Sequence, residues 1–183
     1  YKSINELRYG SILVLTDQDE DGSHIKGLLF NLFESLWPSL FNRPGFIKSM
    51  LTPVIKAKKG KKELSFYSVK DYDSWKESDS SKGFHIKYYK GLGTSTSKEA
   101  KEYFKVKKTV DYGWSDQSNE FLDLAFNKKR SDDRKTWLQN FDRNNILDSN
   151  QKDVTFNDFI EKKFKHFSNY DLERSIPSIV DGM

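Results

Sequence analysis

The sequence predicts an α/β fold. Twice, at residues 11–37 and 84–104, a short apolar run rich in β-branched or aromatic residues passes through a turn into a segment with helical spacing. The final third then reads as helices, and twenty-seven Phe, Tyr and Trp residues (14, 9 and 4) give enough apolar bulk for a core.

The first junction organises the rest. SILVLT (11–16) has the pattern of a buried strand. In HIKGLLFNLFESLW, Ile25, Leu28, Leu29, Leu32, Phe33, Leu36 and Trp37 recur at i, i+3, i+4, i+7, the spacing of a single helix face, expected to turn inward. Asp17, Asp19 and Asp21 lie between, with Gly22 and Ser23 expected to supply the turn and the N-cap. At an effective dielectric near 20, carboxylates ~6–7 Å apart repel by about 2–3 kcal/mol per pair. A divalent cation reverses that sign, and hard oxygen donors with open positions suit Mg²⁺. The three aspartates are therefore the expected metal ligands.

Other readings of this stretch fare worse. D-x-D-x-D-G opens an EF-hand loop, but the twelfth position counted from Asp17 is Leu28, where that loop needs a bidentate Glu. A haloacid-dehalogenase-like, Mg-dependent phosphatase would use Asp19 as nucleophile and a second acidic pair after another apolar strand. The adjacent pair Asp132-Asp133 lies instead in NKKRSDDRK, which reads as a helix start. A solvated acidic loop is the bland alternative. It sits badly with the strand–helix junction, where α/β sheets collect their ligands.

Size and composition set outer bounds. One good-sized domain or two small ones fit in 183 residues. A net charge of +4 permits a nucleic-acid partner without requiring one. With no Cys, disulfide scaffolds and thiolate metal sites are excluded. No apolar stretch is long enough to span a bilayer, so no membrane partner is expected. The chain opens at Tyr1 and reads as part of something larger.

Downstream, Phe46–Lys58 reads as extended, and after KKGKK the run ELSFYS returns, a hairpin whose lysines shield a sheet edge. Ser68–Glu77 is an expected short helix and Phe84–Tyr89 a strand. That strand leads into KGLGTSTSKEAKEYF, where Gly91 and Gly93 allow close backbone approach. Ser97 is the expected cap of a helix over Lys98–Phe104, with Ala100, Tyr103 and Phe104 inward. A glycine turn at a helix amino end suits a phosphate or acid group. No G-x-x-x-x-G-K-[ST] occurs. Residues 118–127 and 131–141 read as helices about the basic elbow Lys128-Lys129-Arg130, with Ser131 as cap. Asp142–Lys152 is a polar connector, and Thr155 opens an aromatic-rich helix. The expected division is 1–141 and 142–183. His24, His85 and His166 have no metal-ligand spacing; His24 follows the acidic turn, within reach of a bound phosphate.

TDQDEDGSHIKG, KYYKGLGTSTSKEAKEYF, LAFNKKRSDDRKTWL and ERSIPSIVDG occur in that order. Together they resemble the cleavage core of a eukaryotic-type DNA topoisomerase II, from Leu7 nearly to the end of the chain. Differences concentrate at Lys105–Glu120 and Asp142–Val154, both expected connectors. The resemblance implies a Rossmann-like TOPRIM domain, a mostly parallel sheet flanked by helices. A β-hairpin insertion and a helical extension toward a winged-helix domain complete it. It implies that Asp17 and Asp19 hold Mg²⁺ with Asp21 supporting, two ions completing the site. Lys128 and Lys129 would contact the DNA backbone, with Lys90 and His24 as further DNA candidates. It also implies a nuclear, homodimeric, ATP-dependent enzyme acting on double-stranded DNA, with ATP bound in a domain outside this chain. The motif E-G-D-S-A, whose Glu completes the metal site, is absent; Glu77-Ser78-Asp79-Ser80 follows the aspartates in a loop and does not replace it. The attacking tyrosine is expected beyond Met183, so Tyr1, Tyr88, Tyr89 and Tyr112 are not candidates and no catalytic residue is assigned here. A non-catalytic DNA-binding module with a structural ion is the third class weighed.

Overall fold

The computed structural model describes residues 6–78, 81–89, 91–148 and 151–176. Strand β1 (Ile12–Val14) leads to helix α1 (Glu20–Leu36), a short helix α2 (Pro38–Phe41) and β2 (Ile47–Met50). A hairpin of β3 (Ile55–Lys59) and β4 (Lys62–Phe66) precedes α3 (Val69–Lys76), β5 (His85–Tyr88) and α4 (Ser97–Val106). Then come β6 (Thr109–Gly113), α5 (Ser118–Phe126), α6 (Ser131–Gln139) and β7 (Asp153–Thr155). The last helical run is α7 (Phe156–Phe159), a π-turn (Ile160–Phe164) and α8 (Lys165–Ser175).

The α/β expectation is met by two sheets. The main one has the order β1-β2-β6-β7, and two of its three pairings, β1 with β2 and β6 with β7, are parallel. The smaller sheet, β4-β3-β5, is antiparallel. Phe46–Lys58 is not one strand: it divides at Thr52-Pro53, its first half entering the main sheet and its second the hairpin. Proline has no N–H to give a ladder, which is why the extended run breaks there. Gly60, at φ +58°, closes the hairpin.

Strand β6 lies inside the expected connector Lys105–Glu120, yet it is central, hydrogen-bonded on both sides. Its five residues bury only Val110 and Tyr112, and polar flanks hide so short an alternation. Likewise β7 and α7, beyond the expected connector, share this sheet and core. Phe30 packs against Phe41, Tyr112, Phe156 and Phe159 with ring centroids 4.8–6.3 Å apart. Each such contact is worth roughly 0.5–1.5 kcal/mol beyond area burial. Residues 153–175 are thus continuous with the first 141 in packing.

Helix α1 is rotated from the face expected. Gly22, Ser23, Lys26, Gly27 and Phe30 are buried; of the expected stripe only Phe33 packs against the core and Leu29 is half-buried, whereas Ile25, Leu28, Leu32, Leu36 and Trp37 are exposed. The cause is steric. A Cβ on Gly27 would lie 2.5 Å from the Phe164 ring and 3.2 Å from Phe126, so α1 can approach the π-turn only along a small-residue face. Helix caps also shift. Asp19 caps α1, Thr96 caps α4 and Arg130 precedes α6 without a side-chain bond, in place of Gly22/Ser23, Ser97 and Ser131. On α4 only Tyr103 is buried, and Phe104 is exposed. Ser68, the first residue of the expected helix 68–77, is the cap of α3, and Thr155 caps α7 as the sequence indicates. No helix among the described residues is long and apolar enough to cross a membrane.

Helix propensity alone favours Ala over Gly by about 1 kcal/mol, but overpacking costs typically ~1–3 kcal/mol. Gly27→Ala is therefore expected to lower stability by denaturant unfolding; a gain near the propensity value contradicts the close crossing.

Candidate functional site

The acidic turn begins where β1 ends. Since β1 and β2 are parallel, their carboxyl ends lie side by side, and the Gln18 side chain donates to the Met50 carbonyl at 3.1 Å, tying the turn to the neighbouring strand. Asp19 Oδ1 accepts from the Gly22 N–H at 2.8 Å, and Ser23 Oγ donates to the Asp19 carbonyl at 3.2 Å. The N-cap carboxylate satisfies an orphan donor and faces the positive end of the helix dipole. Gly22 is dictated by space: a Cβ there would stand 2.0 Å from the Asp17 carbonyl oxygen and 3.2 Å from Asp19 Oδ1.

Across the turn stands the second glycine junction. A Cβ on Gly91 would lie 2.5–2.8 Å from the Asp17 carboxylate, so the backbone of the KGLGTS turn abuts that group. The turn is held by Thr94, whose N–H and hydroxyl both donate to the Gly91 carbonyl at 3.1 and 2.6 Å. Beyond it, Thr96 and Glu99 form a full capping box. Glu99 also accepts from the Tyr89 hydroxyl and from Lys87 at 3.3 Å, while Lys56 sits 3.0 Å from Glu63 and 3.9 Å from Glu99 and Glu102. The amino end of α4 is therefore occupied by the chain's own acid, Glu99, rather than left for a phosphate. Burial opposes ionisation of Glu99, but bonds from the Thr96 backbone, Tyr89, Thr96 Oγ1 and Lys87 outweigh it and hold the carboxyl at about 2. Lys90 lies outside the described residues.

The three aspartates do not share one locus. Asp17 meets Gly91, Asp19 caps α1, and Asp21 Oδ1 lies 3.7 Å from the exposed Arg174 guanidinium at the end of α8. Among the described residues no three His, Asp or Glu side chains converge as a cage. What the turn offers is the Asp17 carboxylate against the Gly91 backbone and, two residues on, the Asp19 carboxylate at the start of α1. That donor set fits Mg²⁺, which binds through one or two carboxylates and completes its octahedron with waters and phosphate oxygens.

The basic elbow is a 3₁₀ turn, Lys128–Arg130, braced from three sides. Arg134 Nη1 donates to the carbonyls of Leu124 and Asn127 at 3.1 and 2.6 Å. Asn127 donates to Asp123 at 2.7 Å and accepts from the Lys129 N–H at 3.0 Å. Arg130 is consumed by Glu120, Asp123 and Asp133 at 2.7–3.2 Å. Lys128 and Lys129 are exposed, and their ammonium groups make no ion pair among the described residues. Sequence reasoning found the two lysines but not Arg134, whose signal would have been a lone Arg one helical turn into α6. His24 stacks on Phe167 (centroids 4.1 Å apart, 11° between planes) in the groove that α1 forms with α6 and α8, so that ring is already engaged by the protein. Asp132 and Asp133 open α6 and pair with Lys135 and Arg130, following a helical turn rather than a strand. The arrangement a phosphatase would need is absent there.

The chain matches the family model described as the C-terminal associated domain of TOPRIM over residues 50–172. It is 48% identical over 182 residues to DNA topoisomerase 2 of Plasmodium falciparum, covering 98% of this chain and 13% of that protein. It is 52% identical over 192 residues to DNA topoisomerase 2 of Arabidopsis thaliana, covering 100% and 13% respectively. Among solved structures, the DNA-binding, cleavage and re-ligation domain of Plasmodium falciparum topoisomerase II superimposes with a TM-score of 0.89 at 46% identity, covering 95% of this chain and 24% of that one. The chain thus spans about one-eighth of the length of the curated relatives it matches.

Glu99 provides a pH test. Its folded value lies below its ordinary 4.5, so its stabilisation is complete above pH 4.5 and is lost as pH falls toward about 2. Amide exchange at residues 96–99 should rise across that window in the native protein and lose this dependence in Glu99→Gln; identical profiles contradict the clamp.

Proposed function

The chain belongs to the eukaryotic-type DNA topoisomerase II family, and from that premise we propose that it supplies the metal-binding TOPRIM part of an enzyme that cuts and rejoins both strands of duplex DNA. One observation carries this reading: the Asp17 carboxylate sits against the Gly91 backbone at the carboxyl ends of two parallel strands. That is where an α/β sheet gathers ligands.

In this reading Asp17 and Asp19 hold Mg²⁺, with a second ion completed by groups outside this chain. Asp21, paired with Arg174, shapes the turn electrostatically rather than ligating. When bound, such ions stabilise the attacking and leaving oxygens of an in-line phosphoryl displacement. The chain's own residues do the rest. Gly22 lets α1 start against the Asp17 carbonyl, Gly91 lets backbone close on the Asp17 carboxylate, Gln18 fixes the turn to β2, and Lys128 and Lys129 neutralise backbone phosphates from the braced elbow. Lys90, next to Gly91, is a weaker DNA contact in the same proposal, and His24, stacked on Phe167, is left out of it. The tyrosine that attacks phosphorus, the Glu that completes the metal site and the ATP site belong to other segments of the full-length protein. That protein is proposed to work as a nuclear homodimer.

In the full-length protein, Asp17→Ala should reduce Mg²⁺-dependent DNA cleavage by more than about 100-fold, ~2.7 kcal/mol of transition-state stabilisation. Duplex affinity should change by less than about threefold, a change under ~0.7 kcal/mol. Retained cleavage would overturn the metal assignment. Replacing Lys128 and Lys129 together by Ala should weaken binding and reduce the slope of log K against log salt by about 2, since each lost phosphate contact contributes about 0.9. An unchanged salt slope would remove the elbow from the DNA interface.

A further inference from the structure

A second charged site lies behind the acidic turn. Lys26, on the inward face of α1, is 6% exposed, and its ammonium makes no hydrogen bond or ion pair among the described residues. It lines a cavity of about 70 Å³ together with Ser23, Tyr67, Ser68 and Lys163. Lys163, on the π-turn, is exposed at the mouth and close enough to repel Lys26 electrostatically. Two like charges face one small cavity, the inner one largely withdrawn from solvent with no acid in direct contact among the described residues, an arrangement that an entering anion would stabilise. Burial is the main reason, and Lys163 the second, that the Lys26 amine is pushed down to about 8 from 10.5; Asp19 opposes both. At neutral pH the group still carries its proton.

The acids near this cavity do not fill it. Asp19 is committed to the Gly22 N–H, and Glu20, which acts on Lys163, has its own carboxyl pushed up by burial. Asp148 stands exposed at the rim and has a partner of its own. The remaining lining is apolar in part, from Leu51, Val110, Leu147 and Phe159, and polar in part, where Gln18, Ser23, Tyr67, Ser68 and Tyr112 stand. Ser23 Oγ bonds the Asp19 carbonyl, Ser68 Oγ accepts from the Asp71 N–H at 3.1 Å, and the Tyr67 ring lies under Lys108. Ser68 is the N-cap of α3, so the positive end of that helix borders the cavity. Ammonium and hydroxyl donors around a volume this small suit a tetrahedral oxyanion rather than a side chain or a base.

We propose that Lys26 and Lys163, with the hydroxyls of Tyr67 and Ser68, form an anion site that takes a phosphate group. The site is separate from the Asp17 and Asp19 carboxylates and does not depend on the cleavage reading.

Calorimetric titration of the full-length protein with inorganic phosphate, at constant ionic strength held with sodium chloride, tests it. Wild type should show saturable binding. Lys26→Met, which keeps the length of the side chain, should weaken binding at least tenfold. Lys163→Gln, at the mouth, should weaken it at least threefold, with circular dichroism unchanged in both. Absence of saturable binding in wild type, or equal binding in wild type and Lys26→Met, overturns the proposal. A short duplex added beforehand identifies the source. Loss of the phosphate isotherm supports occupation by a backbone phosphate, and its persistence supports a free phosphate ion. Asp17→Ala should leave the isotherm unchanged even if it abolishes cleavage, so failure of one site is distinguishable from failure of the other.

Discussion

Two glycines allow the acidic turn to exist in this form. At Gly22 the backbone of α1 passes so close to the Asp17 carbonyl that a methyl group would overlap it, and at Gly91 the turn after β5 lies directly on the Asp17 carboxylate. The parallel pairing of β1 and β2 aligns their carboxyl ends, and Gln18 bridges them. The Thr96–Glu99 box, with Tyr89 and Lys87, fixes the chain just past Gly91.

The same economy of space explains α1. A helix that must cross the π-turn at Gly27 against Phe164 has to turn its small residues inward. The core is then filled from the opposite side, by Phe30 meeting Phe156 and Phe159. Most of the apolar stripe of α1 is left exposed, and the one long polar side chain on the inner face, Lys26, is buried beside the acidic turn. Packing, not hydrophobic periodicity, decides the orientation of this helix.

What could be read from residues alone tracks how local the determining physics is. The strand–acid–helix and strand–glycine–helix junctions were legible, because turn chemistry and capping residues lie within a few positions of one another. The aromatic helix after Thr155 was legible too, and Phe156, Phe159, Ile160, Phe164 and Phe167 are all buried. Three things were not. Strand β6 has only Val110 and Tyr112 to announce it, and its place depends on partners far away in sequence. The face of α1 depends on Phe164, contributed from the other end of the chain. The fate of Asp21 depends on Arg174, so three acids that look equivalent in DQDEDGS are used in three different ways. The basic elbow was visible as Lys128-Lys129-Arg130, but not that Arg130 is spent on carboxylates while its neighbours stay available.

In the proposed site, contact with the Gly91 turn sets the Asp17 carboxylate for metal binding. Mn²⁺, read by its electron paramagnetic resonance signal as a stand-in for Mg²⁺, can be titrated into the full-length protein and its Gly91→Ala variant. The added methyl must displace the carboxylate, so Mn²⁺ affinity should fall at least tenfold, about 1.4 kcal/mol, with circular dichroism unchanged. Equal affinity in the two proteins would rule out this role for the Gly91 contact.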